Sequence, residues 1–486
     1  MIHDLLIIGG GINGAAMARE AAINGLSVLL VERGDLASAT SSASTKLIHG
    51  GLRYLEYGKF RMVREALHER ERLLAAAPHV IRPVRFVLPY VHGIRPRWLI
   101  RLGLYLYDWL GGKSRLPRSC SLRLSDRRLQ APLRRQTGGF IYTDCVADDS
   151  RLTLLNAMDA AQHGAEIRTR IELVSARREG NIWLAGLSDG KEARARVLVN
   201  AAGPWVAETL SRLAIDSTAH IRWVKGSHII VPRLYEGDHA YLLQQPDRRV
   251  VFTVPYEGHF TLIGTTDTAV DAPSATPISA EEIDYLCAAA NLYFAQSIAS
   301  ADIVHSYSGV RPLYDDGKAD SKAITRDYVL ELNEDGPPLL SIFGGKITTA
   351  RYLAEEALAL IAGTCDWRYY RNSKALVFPG GAIADFEEFL AQVHIFWPFL
   401  NTSQSLRMAR AYGTLLHDML HDVREEAHMG LDFGAGFTEV EARWMHEHEW
   451  ARTAEDCLWR RSKLGLHMTA VEQTLFARWW RQNFEP

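Results

Sequence analysis

Apolar and glycine-rich segments alternate at the start of the chain in the order strand, turn, helix, strand. The apolar run at 4–8 predicts a buried parallel strand, since strands covered on both faces are almost continuously apolar. A glycine turn follows, and the alanine-rich residues 15–24 predict a helix that Gly25 ends. A second apolar run at 27–32 predicts the next strand, with Glu32 at its end. This order predicts a Rossmann-like α/β layer.

The glycine turn has the spacing of a dinucleotide-binding turn. Gly9 permits the tight turn, Gly11 lets the backbone approach a pyrophosphate, and Gly14 lets the helix pack closely on the strand. The helix N-terminus offers free N–H groups to phosphates, and Glu32 can accept hydrogen bonds from ribose hydroxyls. A lone G-x-G-x-x-G is weak evidence, but the complete order of elements favours the functional interpretation. The candidate contacts here are Gly9, Gly11, Ile12, Asn13, Gly14, Glu32 and Arg33.

Later segments predict a second sheet and a helical C-terminal part. Apolar or alternating runs predict strands at 196–200, 251–255, 261–267 and 339–343. The middle two are expected to pair antiparallel, and a helix is expected at 350–361 after the last. Helical periods dominate beyond about residue 372, and they fall at 386–394, 405–417, 440–448 and 471–481.

Composition narrows the class of protein. The 486 residues carry a formal net charge of −2, so no overall attraction to nucleic acid is expected. Five scattered cysteines without a CxxC pair predict reduced thiols in the cytoplasm, and neither disulfides nor a zinc site. The pairs His417/His421 and His446/His448 lack the spacing of a hydrolytic zinc site, so no metal is expected. Neither a signal peptide nor a membrane-spanning segment is predicted.

The polar segment 36–54, LASATSSASTKLIHGGLRY, predicts a loop wrapped on a ligand, because it is rich in serine and threonine and contains a Gly-Gly pair. It resembles the segment after the dinucleotide fold in the FAD-linked glycerol-3-phosphate dehydrogenases, which are D-amino-acid-oxidase-like flavoproteins. The resemblance extends to about residue 480 through KGSH (225–228), GTTD (264–267), SGVRP (308–312), ITRDY (324–328) and FGGKITT (343–349). It implies an FAD cofactor.

The resemblance also implies further contacts with FAD. In the family, the serines of the 36–54 segment and its HGG turn pass beside the pyrophosphate and the isoalloxazine. Two later strand-end turns return to the cofactor, and the helix after the second directs its partially positive N-terminus at the flavin. These implied contacts are Thr40, Ser41, Ser42, Ser44, Lys46, Leu47, His49, Gly50, Gly51, Ala202, Gly203, Trp205, Gly345, Lys346 and Thr348.

The substrate implied by the resemblance is sn-glycerol 3-phosphate, oxidised to dihydroxyacetone phosphate. Arg311 and Arg326 resemble the family's phosphate-holding arginines, whose planar fork suits a dianion. The base that removes the C2 hydroxyl proton stays open between His49 and His228, and we prefer His49 because it lies in the flavin-adjacent turn. The catalytic candidates are His49, Arg53, Tyr54, His228, Arg311, Arg326 and Lys346.

The domain organisation follows from the same resemblance. We predict a discontinuous FAD-binding domain over 1–75, 145–210 and 325–365. A substrate-binding domain with an interleaved mixed or antiparallel sheet is expected over 76–144 and 211–324, and a C-terminal helical domain over 370–486. The helical domain resembles a cap that serves dimerisation, so a homodimer is expected.

One segment is strongly basic and aromatic. Residues 93–135 contain eleven lysines and arginines and only two acidic residues, which gives the segment a net charge of +9. Residues 96–110, PRWLIRLGLYLYDWL, predict a helix typical of the membrane interface rather than a partly buried helix with solvated arginines. Nucleic-acid binding is disfavoured because no nucleic-acid motif accompanies it. We therefore expect peripheral attachment to the inner face of the cell membrane, where a quinone would accept the electrons.

Two other functions remain open from the sequence. The first is an oxidase on the same fold that passes electrons to oxygen, because sequence does not show access of oxygen to the flavin. The second is a flavin-binding sensor without catalysis, which the basic and histidine candidates argue against.

Overall fold

The computed structural model describes residues 1–91, 93–217, 221–274, 277–314, 328–365, 367–371, 373 and 376–485. Its strands are β1 (His3–Ile8), β2 (Val28–Glu32), β3 (Leu47–Ile48), β4 (Ile81–Pro89), β5 (Cys120–Leu122), β6 (Gly139–Ala147), β7 (Glu166–Thr169), β8 (Leu173–Glu179), β9 (Ile182–Leu187), β10 (Glu192–Asn200), β11 (Ile221–Pro232), β12 (Ala240–Gln244), β13 (Val250–Tyr256), β14 (Phe260–Gly264), β15 (Thr268–Val270), β16 (His305–Tyr314), β17 (Val329–Asn333) and β18 (Leu339–Phe343).

The α-helices are α1 (Ile12–Ile23), α2 (Phe60–Ala76), α3 (Arg97–Gly111), α4 (Arg127–Gln130), α5 (Asp149–Gln162), α6 (Val206–Arg212), α7 (Ala280–Asn291), α8 (Ala350–Cys365), α9 (Phe386–Phe396), α10 (Thr402–Tyr412), α11 (Leu416–Met419), α12 (Glu439–His448) and α13 (Ala470–Phe484). A 3-10 helix at Leu52–Tyr57 and a π-helix at Asp456–Arg461 also bear on the site. Among the described residues, every helix is too short or too polar to pass through a bilayer.

The first sheet is the Rossmann-like layer. Its order is β17-β18-β10-β1-β2-β7, in which β18, β10, β1, β2 and β7 are parallel. The β8–β9 hairpin adds antiparallel to β10, and β17 adds antiparallel to β18. Helix α1 packs on this sheet and against the helices α5 and α8, and its small alanines allow the close approach. The carboxyl ends of the parallel strands therefore share one edge, where ligands of such folds bind.

The second sheet covers that edge. Its order is β15-β11-β14-β13-β12-β4-β6-β3, with β16 paired to β11 and β5 to β6. The predicted antiparallel pairing of 251–255 with the following strand is confirmed as the β13–β14 hairpin, but β14 ends at Gly264 and does not reach the predicted residue 267. The predicted α/β fold with an interleaved mixed sheet and a helical C-terminal region is likewise confirmed.

The C-terminal helices share a continuous hydrophobic core with the first sheet and its helices. Ion pairs reinforce this junction: the Arg461 guanidinium meets Asp35 at 2.7 Å, and Arg151 meets Glu449 at 2.8 Å, with all four side chains buried. Lys463 is also buried and pairs with Asp148. The π-helix and its flanks are thus seated against the start of α5 and the loop after β2.

Helix α10 ends five residues before its predicted end. The sequence predicted a helix over 405–417, whereas α10 ends at Tyr412. Gly413 has a φ of +54°, and a Cβ there would lie 2.0 Å from the Gly380 carbonyl oxygen. The backbone therefore turns at this glycine because the 380 loop passes against it, a contact that helical periodicity does not reveal.

Candidate active site

The turn after β1 has no room for side chains at two of its glycines. Gly9 has a φ of +107°, and a Cβ there would lie 2.6 Å from the Ala201 carbonyl oxygen. A Cβ on Gly14 would lie 1.9 Å from the Gly9 carbonyl oxygen. The helix N-terminus is therefore packed against the carboxyl ends of β1 and β10, as a dinucleotide turn requires.

Glu32 is held at the end of β2 by two backbone donors. Its carboxylate accepts hydrogen bonds from the Gly10 N–H at 2.6 Å and from the Gly34 N–H at 2.7 Å. Burial raises its pKa, and the two backbone hydrogen bonds oppose that shift. The carboxylate thus faces the edge of the sheet in a fixed orientation, ready to accept further hydrogen bonds.

The loop from Ser38 to Lys46 is tied to three elements. The Ser41 hydroxyl accepts from the Ile12 N–H at 2.9 Å, Thr40 donates to the Val310 carbonyl at 2.6 Å, and Ser44 donates to Asp149 at 2.7 Å. These bonds join the loop to α1, β16 and α5 respectively. The loop consequently forms a firm wall across the carboxyl edge of the first sheet.

Lys46 lies behind that wall. Its ammonium meets Asp149 at 2.7 Å and the Ser42 carbonyl at 3.0 Å, and only 6% of the residue is exposed. Burial lowers the pKa of Lys46, but Asp149 together with Tyr307 and Asp148 more than offsets this effect, so the pKa is raised overall. The lysine anchors the loop, and its charge is matched by Asp149.

A cavity of about 670 Å³ runs along the carboxyl edge between the two sheets. Most sequence-predicted residues line it: Gly9, Gly11, Ile12, Asn13, Glu32, Arg33, Thr40, Ser41, Ser44, Leu47, His49, Gly50, Gly51, Arg53, Tyr54, Ala202, Gly203, Trp205, His228, Arg311, Gly345, Lys346 and Thr348. Gly14, Ser42 and Lys46 are not among its lining residues, and Arg326 lies outside the described residues.

His49 and Lys346 come together where α2 and the 344–349 turn meet the cavity. The Lys346 ammonium lies 4.3 Å from the centre of the Tyr54 ring, and the His49 N–H lies 3.4 Å from the Thr348 hydroxyl. Burial, with the charges of Lys346 and Arg70, lowers the pKa of His49 to about 4. The imidazole is therefore neutral at physiological pH and able to accept a proton.

Arg311 projects from β16 into the same cavity. Its guanidinium donates to the Thr265 hydroxyl at 3.1 Å and lies 3.5 Å from the Asp267 carboxylate. Arg53, on the Leu52–Tyr57 helix, has a buried Nε that finds no hydrogen-bond partner among the described residues. These guanidiniums and Lys346 place three cationic side chains on the lining of the cavity.

His228 is the second histidine of the cavity and is 1% exposed. Its Nε2 lies 3.0 Å from the Thr45 hydroxyl, and its ring stacks on Tyr307 at 4.8 Å. Burial holds the pKa of His228 well below its usual range. Its Nδ1 is buried without a hydrogen-bond partner in the part of the chain that the structure describes.

Some lining residues were missed from the sequence. They include Thr265 and Asp267 beside Arg311. The further ones are Thr45, Ile171, Glu172, Leu173, Val174, Glu208, Thr209, Arg212, Leu213, Arg249 and Phe252. Thr265 and Asp267 belong to the quoted GTTD motif, which was the available signal. Thr45 belongs to the quoted polar segment 36–54. The others carry no local pattern, because only the folding of distant segments brings them to the cavity.

The residues present fit a dinucleotide cofactor. The glycine turn and Glu32 lie along the same cavity as the polar loop and the late Gly-Gly turn. The buried Asn13 Oδ1 lines it without a hydrogen-bond partner among the described residues, and Gly345 has a φ of +100° with Asn13 Nδ2 only 2.7 Å from a Cβ built there. A buried polar atom without a partner is costly unless a ligand satisfies it.

These features define a flavoprotein, and residues 4–351 match the FAD dependent oxidoreductase family. The chain belongs to this family, and its cofactor is FAD.

Within the family, the chain is 49% identical to the glycerol-3-phosphate dehydrogenase of Pseudomonas aeruginosa, over 97% of this chain and 94% of that protein. It is 48% identical to the D-erythritol 1-phosphate dehydrogenase of Brucella abortus, over 98% and 97% respectively. The glycerol-3-phosphate dehydrogenase of Bacillus halodurans, solved with FAD, has a TM-score of 0.74 at 26% identity and covers 100% of this chain and 95% of its own. The predicted family resemblance is confirmed.

Proposed function

We propose that the protein oxidises sn-glycerol 3-phosphate at C2 to dihydroxyacetone phosphate and passes the electrons to a membrane quinone. The observation that carries the proposal is that Arg53, Arg311, Lys346 and His49 line one cavity together with the residues of the dinucleotide turn. The names of the relatives given above describe them as dehydrogenases of phosphorylated polyols. This supports a phosphate dianion as the group bound in the cavity.

The cationic groups are suited to hold the substrate phosphate. A guanidinium fork makes two charge-assisted hydrogen bonds to a phosphate, and partial burial strengthens them. Arg311 already has a hydroxyl and a carboxylate beside it, so its orientation is fixed before substrate binds. Arg326 is proposed as a further phosphate contact on the resemblance alone, since it lies outside the described residues.

FAD, when bound, supplies a two-electron acceptor for the hydride from C2. The protein must hold the substrate so that C2 faces that acceptor, and it must remove the hydroxyl proton. We assign the proton transfer to His49, which is neutral and lies in the electrostatic field of Lys346. His228 is the alternative base, since its buried Nδ1 has no hydrogen-bond partner among the residues that the structure describes.

His49→Asn is expected to retain FAD and to slow flavin reduction by about a hundredfold or more, because general-base catalysis contributes on that scale. Stopped-flow absorbance after mixing with sn-glycerol 3-phosphate under nitrogen measures the rate. His228→Asn serves as the comparison, and a larger loss of rate in that variant would move the role to His228.

Since the pKa of His49 is about 4, wild-type kcat/KM should not show a histidine titration between about pH 5 and 8.

The reaction itself is tested by adding sn-glycerol 3-phosphate to the purified holoprotein without oxygen. Rapid bleaching of the flavin band, reversed by a quinone analogue and only slowly by oxygen, is the expected result. Fast oxygen consumption in an oxygen electrode would instead establish an oxidase. A flavin that no polyol phosphate bleaches would refute catalysis of this class.

D-Erythritol 1-phosphate is the second candidate substrate, because the Brucella relative is as similar as the glycerol-3-phosphate dehydrogenases. Both substrates carry a phosphate next to a secondary alcohol, so the cationic groups serve either one. The ratio of kcat/KM for the two compounds in the same assay decides between them.

The exposed face of α3 supports the proposed attachment to a membrane. Trp98 and Trp109 are 68% and 69% exposed, and Tyr105 is 61% exposed, while Leu104 on the opposite face is fully buried. Arg97 and Arg101 lie on the exposed side as well. Aromatic side chains beside arginines are typical of helices in the headgroup region, and anionic lipids would attract the basic segment.

The double variant Trp98→Ser/Trp109→Ser is expected to weaken binding to phosphatidylglycerol-containing vesicles by about tenfold or more, since each buried tryptophan contributes substantial apolar area. Co-sedimentation measures the bound fraction. Ile395→Ser/Phe396→Ser is the matched control, because those side chains are 75% and 59% exposed on α9, away from the basic segment. Equal binding by both double variants would contradict attachment through α3. The homodimer predicted from the resemblance stays a prediction.

A further inference from the structure

We propose that Tyr107 is a positioning residue for the reaction: its hydroxyl, held by the Asp144 carboxylate, fixes the peptide group that follows His49. The proposal rests on the proposed function, because it takes His49 as the base. It concerns a side chain that does not line the cavity and that is not among the candidates from the sequence.

Tyr107 reaches the HGG turn from the buried face of α3. Its hydroxyl accepts a hydrogen bond from the Gly50 N–H at 2.8 Å and donates to the Asp144 carboxylate at 2.8–2.9 Å. Tyr107 and Asp144 are 2% and 1% exposed, so water does not compete for these bonds. Because the hydroxyl proton is directed to the carboxylate, a lone pair of the same oxygen is directed to Gly50.

Asp144 is itself held in place. The Arg70 guanidinium donates to its carboxylate at 2.7 Å and to the Thr143 carbonyl at 3.1 Å. Burial raises the pKa of Asp144 to about 6, and Arg70 opposes the shift. Helices α2 and α3 and strand β6 thus place one buried carboxylate behind the turn. Tyr107 donates to this carboxylate and accepts from the Gly50 N–H, which also contributes to lowering the pKa of Asp144.

The pairing of β3 with β6 holds the chain up to Ile48, and the described hydrogen bond at His49 itself is weak. The His49 N–H is 3.4 Å from Thr348 Oγ1, which is a long hydrogen bond, whereas the bond at Gly50 is short. A Cβ on Gly50 would lie 2.6 Å from Leu67 and 2.9 Å from the Tyr107 ring, so the peptide passes directly against both side chains. A displacement of a base by a fraction of an ångström slows proton transfer, so the Gly50 bond bears on the rate.

Tyr107→Phe tests the proposal, since it removes the hydroxyl and keeps the ring. We expect kcat for sn-glycerol 3-phosphate to fall by about tenfold, as for loss of one buried hydrogen bond, with KM within about twofold and FAD content unchanged. The rate of flavin reduction should fall by the same factor. A kcat within about twofold of wild type, with FAD bound, would overturn the proposal.

Tyr235→Phe is the matched control, because its hydroxyl is also buried and donates to the Thr253 carbonyl at 3.2 Å, on the other face of the second sheet. Tyr235→Phe should lower Tm by about as much as Tyr107→Phe does, and it should leave kcat unchanged. Should Tyr107→Phe not fold, Asp144→Asn carries the test: the amide still accepts the hydroxyl proton but holds it less firmly, so kcat should fall by about threefold. Wild-type protein that is not reduced by the substrate would refute the proposed function, whereas reduced wild type with unaffected variants refutes only the role of Tyr107.

Discussion

Arg311→Met is expected to lower kcat/KM for sn-glycerol 3-phosphate by about a thousandfold while FAD stays bound. Charge-assisted hydrogen bonds contribute about 1.5–3 kcal/mol each, and a guanidinium fork makes two to a phosphate. Loss of about 4 kcal/mol corresponds to that factor. The Asp267 carboxylate, 3.5 Å from the guanidinium, would also remain in the cavity and repel the dianion.

Steady-state kinetics with a quinone analogue measure this effect, and the flavin spectrum of the purified variant reports the cofactor. Arg311→Lys should recover part of the loss, because it restores the charge without the fork. Arg233→Met is the control: Arg233 donates to main-chain carbonyls beyond the end of β11 and does not line the cavity. If Arg311→Met kept kcat/KM within about threefold of wild type, the phosphate would have to bind elsewhere.

Gly14→Ala is expected to yield protein with little or no FAD. The added Cβ would lie 1.9 Å from the Gly9 carbonyl oxygen, and neither atom can move without displacing α1 from β1. Overpacking against backbone costs about 3 kcal/mol or more, which corresponds to at least about a hundredfold in cofactor affinity if the displaced turn is the one that binds.

The ratio of flavin to protein absorbance after purification measures the loss. Gly363→Ala is the matched control, since Gly363 lies within α8 and a Cβ there would meet no atom of the described chain within 4 Å. That control should keep FAD and raise Tm slightly, because alanine favours helix over glycine. Full FAD occupancy in Gly14→Ala would refute the close packing on which the turn depends.

Local sequence patterns predicted the helices and strands better than they predicted which residues line the cavity. The turn from Gly9 to Gly14 and the acid at Glu32 are close in sequence, so their spacing alone defines their relation. Arg249 and Phe252 line the cavity only because β13 pairs within the second sheet, and no pattern around them indicates it. Long-range strand order is the part of the fold that local periodicity does not encode.

Lys46 illustrates a different limit of sequence-based prediction. A lysine in a ligand-wrapping loop suggested contact with the cofactor, yet the side chain is buried against Asp149 on the far side of the loop. A buried ammonium needs a carboxylate partner, and Asp149 stands over a hundred residues later at the start of α5. Tyr107 shows the same limit. The sequence placed it in a helix of the membrane interface, because periodicity does not show which tyrosine hydroxyl donates to a buried carboxylate.

Anyone transplanting the flavin-binding fold into another protein would have to carry residues 449–463 with it. Arg151 and Asp35 are buried within that fold, and their charge partners Glu449 and Arg461 come from the far end of the chain. A fold cut at residue 370 would keep two buried charges without their partners, a situation that costs several kcal/mol for each. The chain becomes mainly helical near residue 370, but the hydrophobic core continues across this point. The C-terminal part is therefore not a detachable module.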